Sequence, residues 1–204
     1  MRFVLATHNE GKVRDISDLF RESGHEFVSA GELNLSSPPE TEDTLLGNAM
    51  IKARSAFRET GLPVIADDSG FFVDELGGAP GVFTADWAEM SNGGRDYAIA
   101  RKRVLDRLEE KGVKTPTSAS FRTVIILMIS DEEHHVFEGK VDGHFVYPPR
   151  GDKGYDMDSV FVPVGDDRTF GEMTTSEKNG FNSRSIALEK MFRHISDNDS
   201  DLTP

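Results

Sequence analysis

The feature that most constrains this chain is a short apolar run, Val64–Ala66, that leads directly into two adjacent carboxylates, Asp67 and Asp68. Such a run is typical of a buried strand. Two neighbouring aspartates at the end of a strand repel each other unless a cation lies beside them. Hard cations such as Mg2+ take oxygen ligands and share them with substrate phosphates, so the pattern favours a metal and phosphate site. A strand that ends in an Asx-type turn explains the same residues without any ligand.

The residues that follow are rich in turn formers. Ser69 adds a hydrogen-bond donor, and Gly70 would let a phosphate approach the backbone closely. The stretch 77–81, Gly-Gly-Ala-Pro-Gly, contains too many turn residues for a helix or a central strand. We therefore expect the strand to end at the aspartates and a loop to follow.

Composition excludes several classes of protein. A chain of 204 residues with 37% hydrophobic residues can form one domain, here 1–204, with two lobes. The net charge of -13 disfavours a general nucleic-acid binder, and no apolar run is long enough for a membrane helix. The chain has no cysteine, and its N-terminus does not resemble a secretory leader, which is typical of a cytoplasmic protein. We expect neither nucleic acid nor a membrane as partner.

Strands and helices alternate in the first half of the chain. Arg2–Ala6 is predicted to be a strand, the residues from Val13 to about Gly24 a helix, and the segment 44–60 a second helix that ends before Pro63. This order predicts an α/β layer. Ligands bind beyond the carboxyl ends of the strands in such sheets, which is where Asp67 and Asp68 stand.

The loop after the first strand is a second candidate for anion binding. It comprises Thr7, His8, Asn9, Glu10, Gly11 and Lys12 and precedes a predicted helix. Backbone N–H groups at a helix N-terminus favour an anion, and Lys12 adds positive charge. Simple capping of the helix by Thr7 or Asn9 is the alternative.

The second half of the chain has a more antiparallel pattern. A charged helix is predicted from about Asp96 to Lys111, strands at 118–129 and 136–146, a short strand at 160–162, and a last helix that contains Ile186 and Ile195. His134 and His135 are expected at the surface, and residues 197–204 as a flexible acidic tail. Lys178 and Arg184 precede the last helix, where either an anion site or capping by Asn182 or Ser183 explains the sequence.

Taken together, these motifs resemble the inosine-triphosphate pyrophosphatase family over about residues 2–195. The matching segments are Ala6–Lys12, Glu40–Thr41, Ala66–Gly70, Gly77–Gly81, Pro149–Gly151, Glu177–Lys178 and Ser183–Ser185. The resemblance implies hydrolysis of non-standard purine nucleoside triphosphates (ITP, dITP, XTP) to the monophosphate and pyrophosphate. It also implies an elongated, two-lobed α/β fold with a mixed sheet flanked by helices, a substrate cleft between the lobes, a homodimer and a requirement for Mg2+.

The resemblance also assigns roles by position. Asp68 is expected to be the general base, and the metal ligands are expected to be Glu40, Asp67 and Asp68. The triphosphate is expected to bind the loop from Thr7 to Lys12, Ser69 and Lys178. The base pocket is expected to contain Tyr155 as a stacking residue, Asp158 and Arg184, together with Asp156, Met157 and Ser183 at positions that depart from the family.

Those departures lie mainly where the base is read. The family sequence Gly-Phe-Gly-Tyr-Asp-Pro corresponds to residues 154–159 in an ungapped register, so that Asp156 replaces a glycine and Met157 an aromatic residue. Ser183 replaces a histidine, and Gly47 stands where an acidic residue is common. Base selectivity is therefore the open point. A nucleotide-binding protein with weak activity and a Maf-like pyrophosphatase are the alternatives.

Overall fold

The computed structural model describes residues 1–8, 12–13, 16–17, 20 and 24–198. Asn9, Glu10 and Gly11 of the predicted anion loop lie outside these residues, as does the predicted tail from residue 199 onward. In the first predicted helix, residues 12–13 and 16–17 are helical.

The described residues form a mixed sheet of seven strands. Its order is β2-β1-β3-β5-β6-β7, with β4 beside β3. The strands are β1 Arg2–Leu5, β2 Glu26–Ser29, β3 Val64–Val73, β4 Pro80–Gly81, β5 Thr117–Met128, β6 His134–Phe145 and β7 Phe161–Pro163. β1 is parallel to β2 and β3, whereas β4 and β7 are antiparallel to their neighbours. The predicted fold class, a mixed α/β sheet with helices, is confirmed.

Four α-helices have both ends among the described residues: α1 Leu45–Thr60, α2 Tyr97–Glu110, α3 Thr175–Lys178 and α4 Ser183–Asp197. α1 begins because the Thr44 side chain accepts a hydrogen bond from Gly47 N, and it ends at Gly61, which adopts the left-handed conformation. α2 begins after Asp96, whose side chain caps Ala98 N. The predicted positions of the helices at 44–60 and 96–111 and of the last helix are confirmed. Within the described residues, no helix combines the length and apolar character needed to cross a membrane.

The chain divides into two compact units. The first comprises Met1–Asp68, Thr123–Glu138 and the chain from Ile186 onward, and the second comprises Ser69–Arg122 and Gly139–Ser185. The expectations of a single domain and of a substrate cleft stay predictions.

The sheet of the first unit has an apolar cluster on each face. One cluster joins odd-numbered strand residues such as Leu5 and Ile65 to α4 through Met191. The other joins even-numbered residues such as Val4, Val64 and Ala66 to the alanine stripe of α1. This division follows from strand geometry, because successive side chains point to opposite faces.

The second unit has its own core. It is built from α2 through Val104 and Leu108, from the strands through Phe71 and Phe161, and from Met157, all completely buried. In α2 the fully buried positions are Ala100, Val104 and Leu108, while Leu105 is half-buried and packs against the same core.

β3 is longer than the sequence pattern predicts. It continues through Asp67, Asp68, Ser69 and Gly70 to Val73, so the prediction that the strand ends at the aspartates is wrong. The cause is the partner strand β4, which pairs Phe71 with Gly81 and Phe72 with Pro80. Pairing with β1 stops at Leu5 and Ile65. Along this edge of β3, residues 67–70 therefore lie between the end of one partner and the start of the next.

The same pairing explains the glycines. A Cβ on Gly70 would stand 2.3 Å from the carbonyl oxygen of Gly81, and a Cβ on Gly81 would stand 2.9 Å from that of Gly78. Thr84 fixes this approach, since its Oγ1 accepts from Phe71 N and donates to Gly81 O. These glycines therefore allow backbone segments to pack closely, and Gly70 has a structural reason other than the predicted approach of a phosphate.

Candidate active site

Asp67 and Asp68 point to opposite faces of β3. Asp67 follows the alternation of Ile65, and Asp68 follows that of Val64 and Ala66. Both are buried, with 7% and 8% of their surface exposed. The two carboxylates therefore do not lie side by side, and each forms an ion pair with a different lysine.

On one face, Lys12 binds Asp67. Its Nζ lies 3.0 Å from Oδ1 and 2.7 Å from Oδ2 of that carboxylate. Lys12 comes from the helical residues that follow β1. β1 ends at Leu5, and the next residue, Ala6, still donates its backbone N–H to Ile65 O. The predicted lysine and the predicted aspartate are thus brought together beyond the carboxyl end of β1.

On the other face, Lys52 of α1 binds both Asp68 and Glu40. Its Nζ lies 3.1 Å from Asp68 Oδ1 and 3.1 Å from Glu40 Oε1. The side chain of Lys52 is only 14% exposed, whereas that of Glu40 is 46% exposed. Lys52 was not among the residues predicted from sequence. The available signal was its position at the border of the alanine stripe Ala49–Ala53–Ala56, which packs on the strand that carries the carboxylates.

The residues just before α1 are bound to the first turn of that helix. The Asn48 side chain accepts from Glu42 N and donates to Glu42 O. Glu42 folds so closely over this turn that a Cβ on Gly47 would stand 2.6 Å from the Cβ of Glu42. The absence of the family's acidic residue at position 47 therefore has a packing cause in this chain.

The second oxygen of Asp68 lies outside the ion pair with Lys52. Oδ2 is buried and accepts no hydrogen bond from the described part of the chain. Burial raises the pKa of Asp68 to about 6, against the opposing effect of Lys52, and Glu40 and Asp67 raise it further. For Lys52, burial alone would lower the pKa, but the charges of Asp68, Asp67 and Glu40 raise it above its usual value. A buried, incompletely satisfied carboxylate of this kind marks a functional site.

The three predicted metal ligands do not form one cluster. Glu40 and Asp68 share Lys52, whereas Asp67 is bound by Lys12 on the other face of β3. Over residues 24–198 and the described residues before them, no group of three acidic or histidine side chains is arranged to hold a metal ion. The carboxylate of Asp68, whose Oδ2 has no partner in the described chain, and the exposed carboxylate of Glu40 supply hard oxygen donors, and this pair of side chains fits a hard cation. Asp67 as a ligand stays a prediction.

A second cluster of charges lies in the second unit. Asp158 Oδ2 accepts from Lys178 Nζ at 2.8 Å and from Tyr155 N at 3.1 Å. Both members of the ion pair are 8% exposed, while Tyr155 is 63% exposed and its ring lies 5.6 Å from the Lys178 Nζ. A Cβ on Gly154 would stand 2.1 Å from Asp158 Oδ2, so glycine is required there. Three predicted residues, Tyr155, Asp158 and Lys178, are thus brought together.

The two departures inside this loop have structural roles. Asp156 adopts a φ of 55°, the conformation that a glycine at this position would favour, which supports the ungapped register. Its carboxylate hydrogen-bonds with Tyr97. Met157 is completely buried in the core of the second unit with Phe161 and Phe170. The side chain of Met157 therefore lies in the core, contrary to its predicted place in the base pocket.

The remaining predicted residues occupy simpler positions. Ser183 is buried at the first turn of α4, where Asn182 Oδ1 accepts from Ser185 N as a cap. Arg184 is half-buried in the same turn, Ser69 is half-buried in β3, and His8 is exposed after β1. His134 is exposed as predicted, whereas His135 is half-buried, with its ring centroid 4.2 Å from that of His194.

A mixed α/β sheet with lysines and carboxylates beyond the carboxyl end of a parallel strand is typical of open α/β proteins, which bind their ligands at that edge of the sheet. The chain belongs to the Ham1 family, whose model matches residues 3–194. The family predicted from the motifs, the inosine-triphosphate pyrophosphatase family, is thereby confirmed.

Named relatives and a solved structure agree with this assignment. The chain is 48% identical over 190 residues to a dITP/XTP pyrophosphatase of Ruegeria pomeroyi, covering 93% of each protein. It is 47% identical over 180 residues to a dITP/XTP pyrophosphatase of Rhizobium meliloti, covering 87% of this chain and 84% of the relative. Among solved structures, a HAM1 protein from Coxiella burnetii is similar with a TM-score of 0.90 and 33% identity, covering 97% of this chain and 99% of that one.

Proposed function

We infer that this chain hydrolyses non-standard purine nucleoside triphosphates, such as dITP, ITP and XTP, to the monophosphate and pyrophosphate. Its family and the names of its relatives support this reaction. The observation that carries it is the buried carboxylate of Asp68, which has one oxygen on Lys52 and the other without a partner in the described chain.

Asp68 is suited to activate water. The reaction forms a bond between a water oxygen and the α-phosphorus, and it breaks the bond from that phosphorus to the bridging oxygen, which leaves with pyrophosphate. Asp68 Oδ2 accepts the proton that the water loses, because it is the oxygen free to do so. Lys52 on Oδ1 fixes the orientation of the carboxylate.

The lysines supply charge neutralisation. Phosphoryl transfer depends mostly on positioning and on the stabilisation of developing negative charge. Lys12 is held by Asp67 in a largely dry environment, so a phosphate that approaches meets an ammonium group already in place. We assign Lys12, with Thr7 and the loop that follows, to the phosphates.

We propose that a divalent cation, Mg2+ by preference, is bound by Glu40 and Asp68. A bound cation would neutralise the phosphate oxygens and favour departure of pyrophosphate. Asp67 as a third ligand stays a prediction, because its side chain points to the other face of β3. Lys52 Nζ contacts both of these carboxylates, at 3.1 Å each.

The cluster in the second unit is assigned to the base. For Lys178 this replaces the phosphate-binding role that the resemblance implies, because its ammonium group is buried in a pair with Asp158. Asp158 and Lys178 form a buried pair that offers an acceptor and a donor, and the exposed ring of Tyr155 offers a stacking face. Ser183 and Arg184 add polar groups from the first turn of α4. A polar site of this kind rejects a base that leaves its groups unpaired.

A turnover panel tests the proposed function. Purified protein would be incubated with divalent cation and ITP, XTP, dITP, GTP, ATP or a pyrimidine triphosphate, and the products would be separated by anion exchange. We expect ITP, dITP or XTP to give monophosphate and pyrophosphate faster than ATP. Diphosphate and orthophosphate as products, or tight binding without turnover, would contradict the proposal. The homodimer and the cytoplasmic location stay predictions, and light scattering in solution tests the former.

A further inference from the structure

The loop Gly154–Asp158 is held from outside by helix α2. Arg101 Nη1 donates to the backbone carbonyl of Asp156 at 2.6 Å. The hydroxyl of Tyr97 hydrogen-bonds with the carboxylate of the same residue. Tyr97 and Arg101 are four positions apart and therefore share one face of α2. One residue of the loop is thus bound through both its backbone and its side chain.

This attachment compensates for an unfavourable backbone. Asp156 has a φ of 55°, which an aspartate adopts less readily than the glycine found there in the family. Without external contacts, Asp156 would favour backbone conformations with negative φ. Non-glycine residues held at positive φ persist only where the surroundings determine them.

Arg101 and Tyr97 make their contacts with Asp156 from half-buried positions. The Nε of Arg101 is buried and has no hydrogen-bond partner in the described part of the chain, so the guanidinium is held at some cost in desolvation. Burial first, and then the charge of Asp156, raise the pKa of Tyr97 to about 12, so the hydroxyl keeps its proton at neutral pH.

Asp156 lies between the residues assigned to the base. Tyr155 on one side donates its backbone N–H to Asp158, and Asp158 binds Lys178. A change in the backbone at Asp156 would displace both the ring of Tyr155 and the carboxylate of Asp158.

We propose that Tyr97 and Arg101 are positioning residues for base recognition, which act by holding Asp156 in the conformation that aligns Tyr155, Asp158 and Lys178. This inference rests on the proposed function. It concerns the base alone, and it assigns no role to α2 in phosphate binding or in the chemical step.

The test compares Tyr97→Phe and Arg101→Met with wild type. We expect each to raise KM for ITP by about 5- to 30-fold and to change kcat by less than about 2-fold, because catalysis lies elsewhere. Binding of IMP should weaken by a similar factor, whereas inhibition by tripolyphosphate, which has no base, should stay within about 2-fold. Arg101→Lys, which keeps a donor, should recover part of the loss.

Two further variants sharpen the comparison. Arg103→Met removes another arginine of α2, which donates to Trp87 O, and should leave KM unchanged. Asp156→Gly removes the unfavourable conformation, so Arg101→Met should cost less in that background than in wild type. Thermal unfolding would be followed for every variant. If Arg101→Met does not fold, the KM of Tyr97→Phe decides whether α2 has the proposed role.

The outcomes separate the two proposals. If wild type hydrolyses ITP but Tyr97→Phe and every folded Arg101 variant keep its KM, the role of α2 is wrong and the proposed function stands. Equal loss of IMP and tripolyphosphate binding would also overturn that role. If wild type neither hydrolyses ITP nor binds IMP, the proposed function is wrong, and this inference falls with it.

Discussion

Lys52 Nζ lies 3.1 Å from Asp68 Oδ1, and the second oxygen of the same carboxylate is buried without a partner in the described chain. Oδ1 of Asp68 is therefore paired with the ammonium group of Lys52, and the carboxylate keeps Oδ2 available for a proton or a cation. The arrangement depends on strand alternation, because Asp68, unlike Asp67, points to the face of β3 that α1 covers.

The first prediction concerns stability. Burial raises the pKa of Asp68 from 3.8 to about 6, so the folded state binds its proton more tightly than the unfolded state does. The free energy of unfolding therefore falls as pH rises from about 4 to about 6. Above that range, the full cost of burying the charged carboxylate is present. Asp68→Asn should stabilise the metal-free protein at pH 7.5 by up to about 3 kcal/mol.

Urea unfolding in EDTA at pH 7.5 and at pH 4 would measure this difference. The gain should nearly vanish at pH 4, where most of the cost of burying the charge has disappeared. A gain that is equal at the two pH values would show that burial of the charge is not its cause.

The second prediction concerns Lys52. Lys52→Met removes the nearest positive charge from Asp68, whose pKa should rise further, by about one to a few units. Activity at pH 7 should fall by at least about 10-fold and recover partly toward pH 9, because more of the carboxylate then ionises. The measurement is the pH profile of kcat/KM, with Arg58→Met on the exposed face of α1 as control. An unchanged profile would contradict the assigned role.

The third prediction separates the two lysine–carboxylate pairs. Lys12→Ala should weaken binding of triphosphate more than that of monophosphate, since Lys12 is assigned to the phosphates. Lys178→Ala should weaken both to a similar degree and reduce the preference for ITP over ATP. Each loss should be about 1.5–3 kcal/mol, typical of a charge-assisted hydrogen bond. Calorimetry with ITP and IMP decides, and the reverse pattern would exchange the two assignments.

The fourth prediction concerns Met157. Because its side chain is completely buried in the core of the second unit, Met157→Tyr should overpack that core and destabilise the protein by about 1–3 kcal/mol. Met157→Leu conserves volume and should leave the ratio of kcat/KM for ITP and GTP within about 2-fold. A marked change in selectivity with an unchanged melting temperature would show that position 157 contacts the base.

Much of the fold follows from local signals. α1 was predictable because Thr44 caps its start and Gly61 and Pro63 end it, and α2 was predictable from Asp96 and its apolar spacing. The end of β3 was not, since Asp-Asp-Ser-Gly is typical of a turn. Its extension to Val73 depends on pairing with Pro80–Gly81, which no local window contains.

The site could be predicted only in part for a similar reason. Asp67, Asp68 and Lys12 stand out because the two carboxylates and the lysine each come soon after a short apolar run. Lys52 resembles any surface lysine of a charged helix, and only the packing of α1 on β3 turns it toward Asp68. The role of Asp156 was hidden because its partner, Arg101, is 55 positions away.

The central claim is that water attacks the α-phosphorus with Asp68 as base. Hydrolysis of ITP in water enriched in oxygen-18, followed by phosphorus NMR and mass spectrometry, tests it most directly. We predict that the label enters IMP alone and that pyrophosphate stays unlabelled. Asp68→Asn should fold and slow the reaction by about 100- to 10,000-fold. Label in pyrophosphate, release of orthophosphate, or near-normal kcat for Asp68→Asn at saturating Mg2+ would contradict the claim.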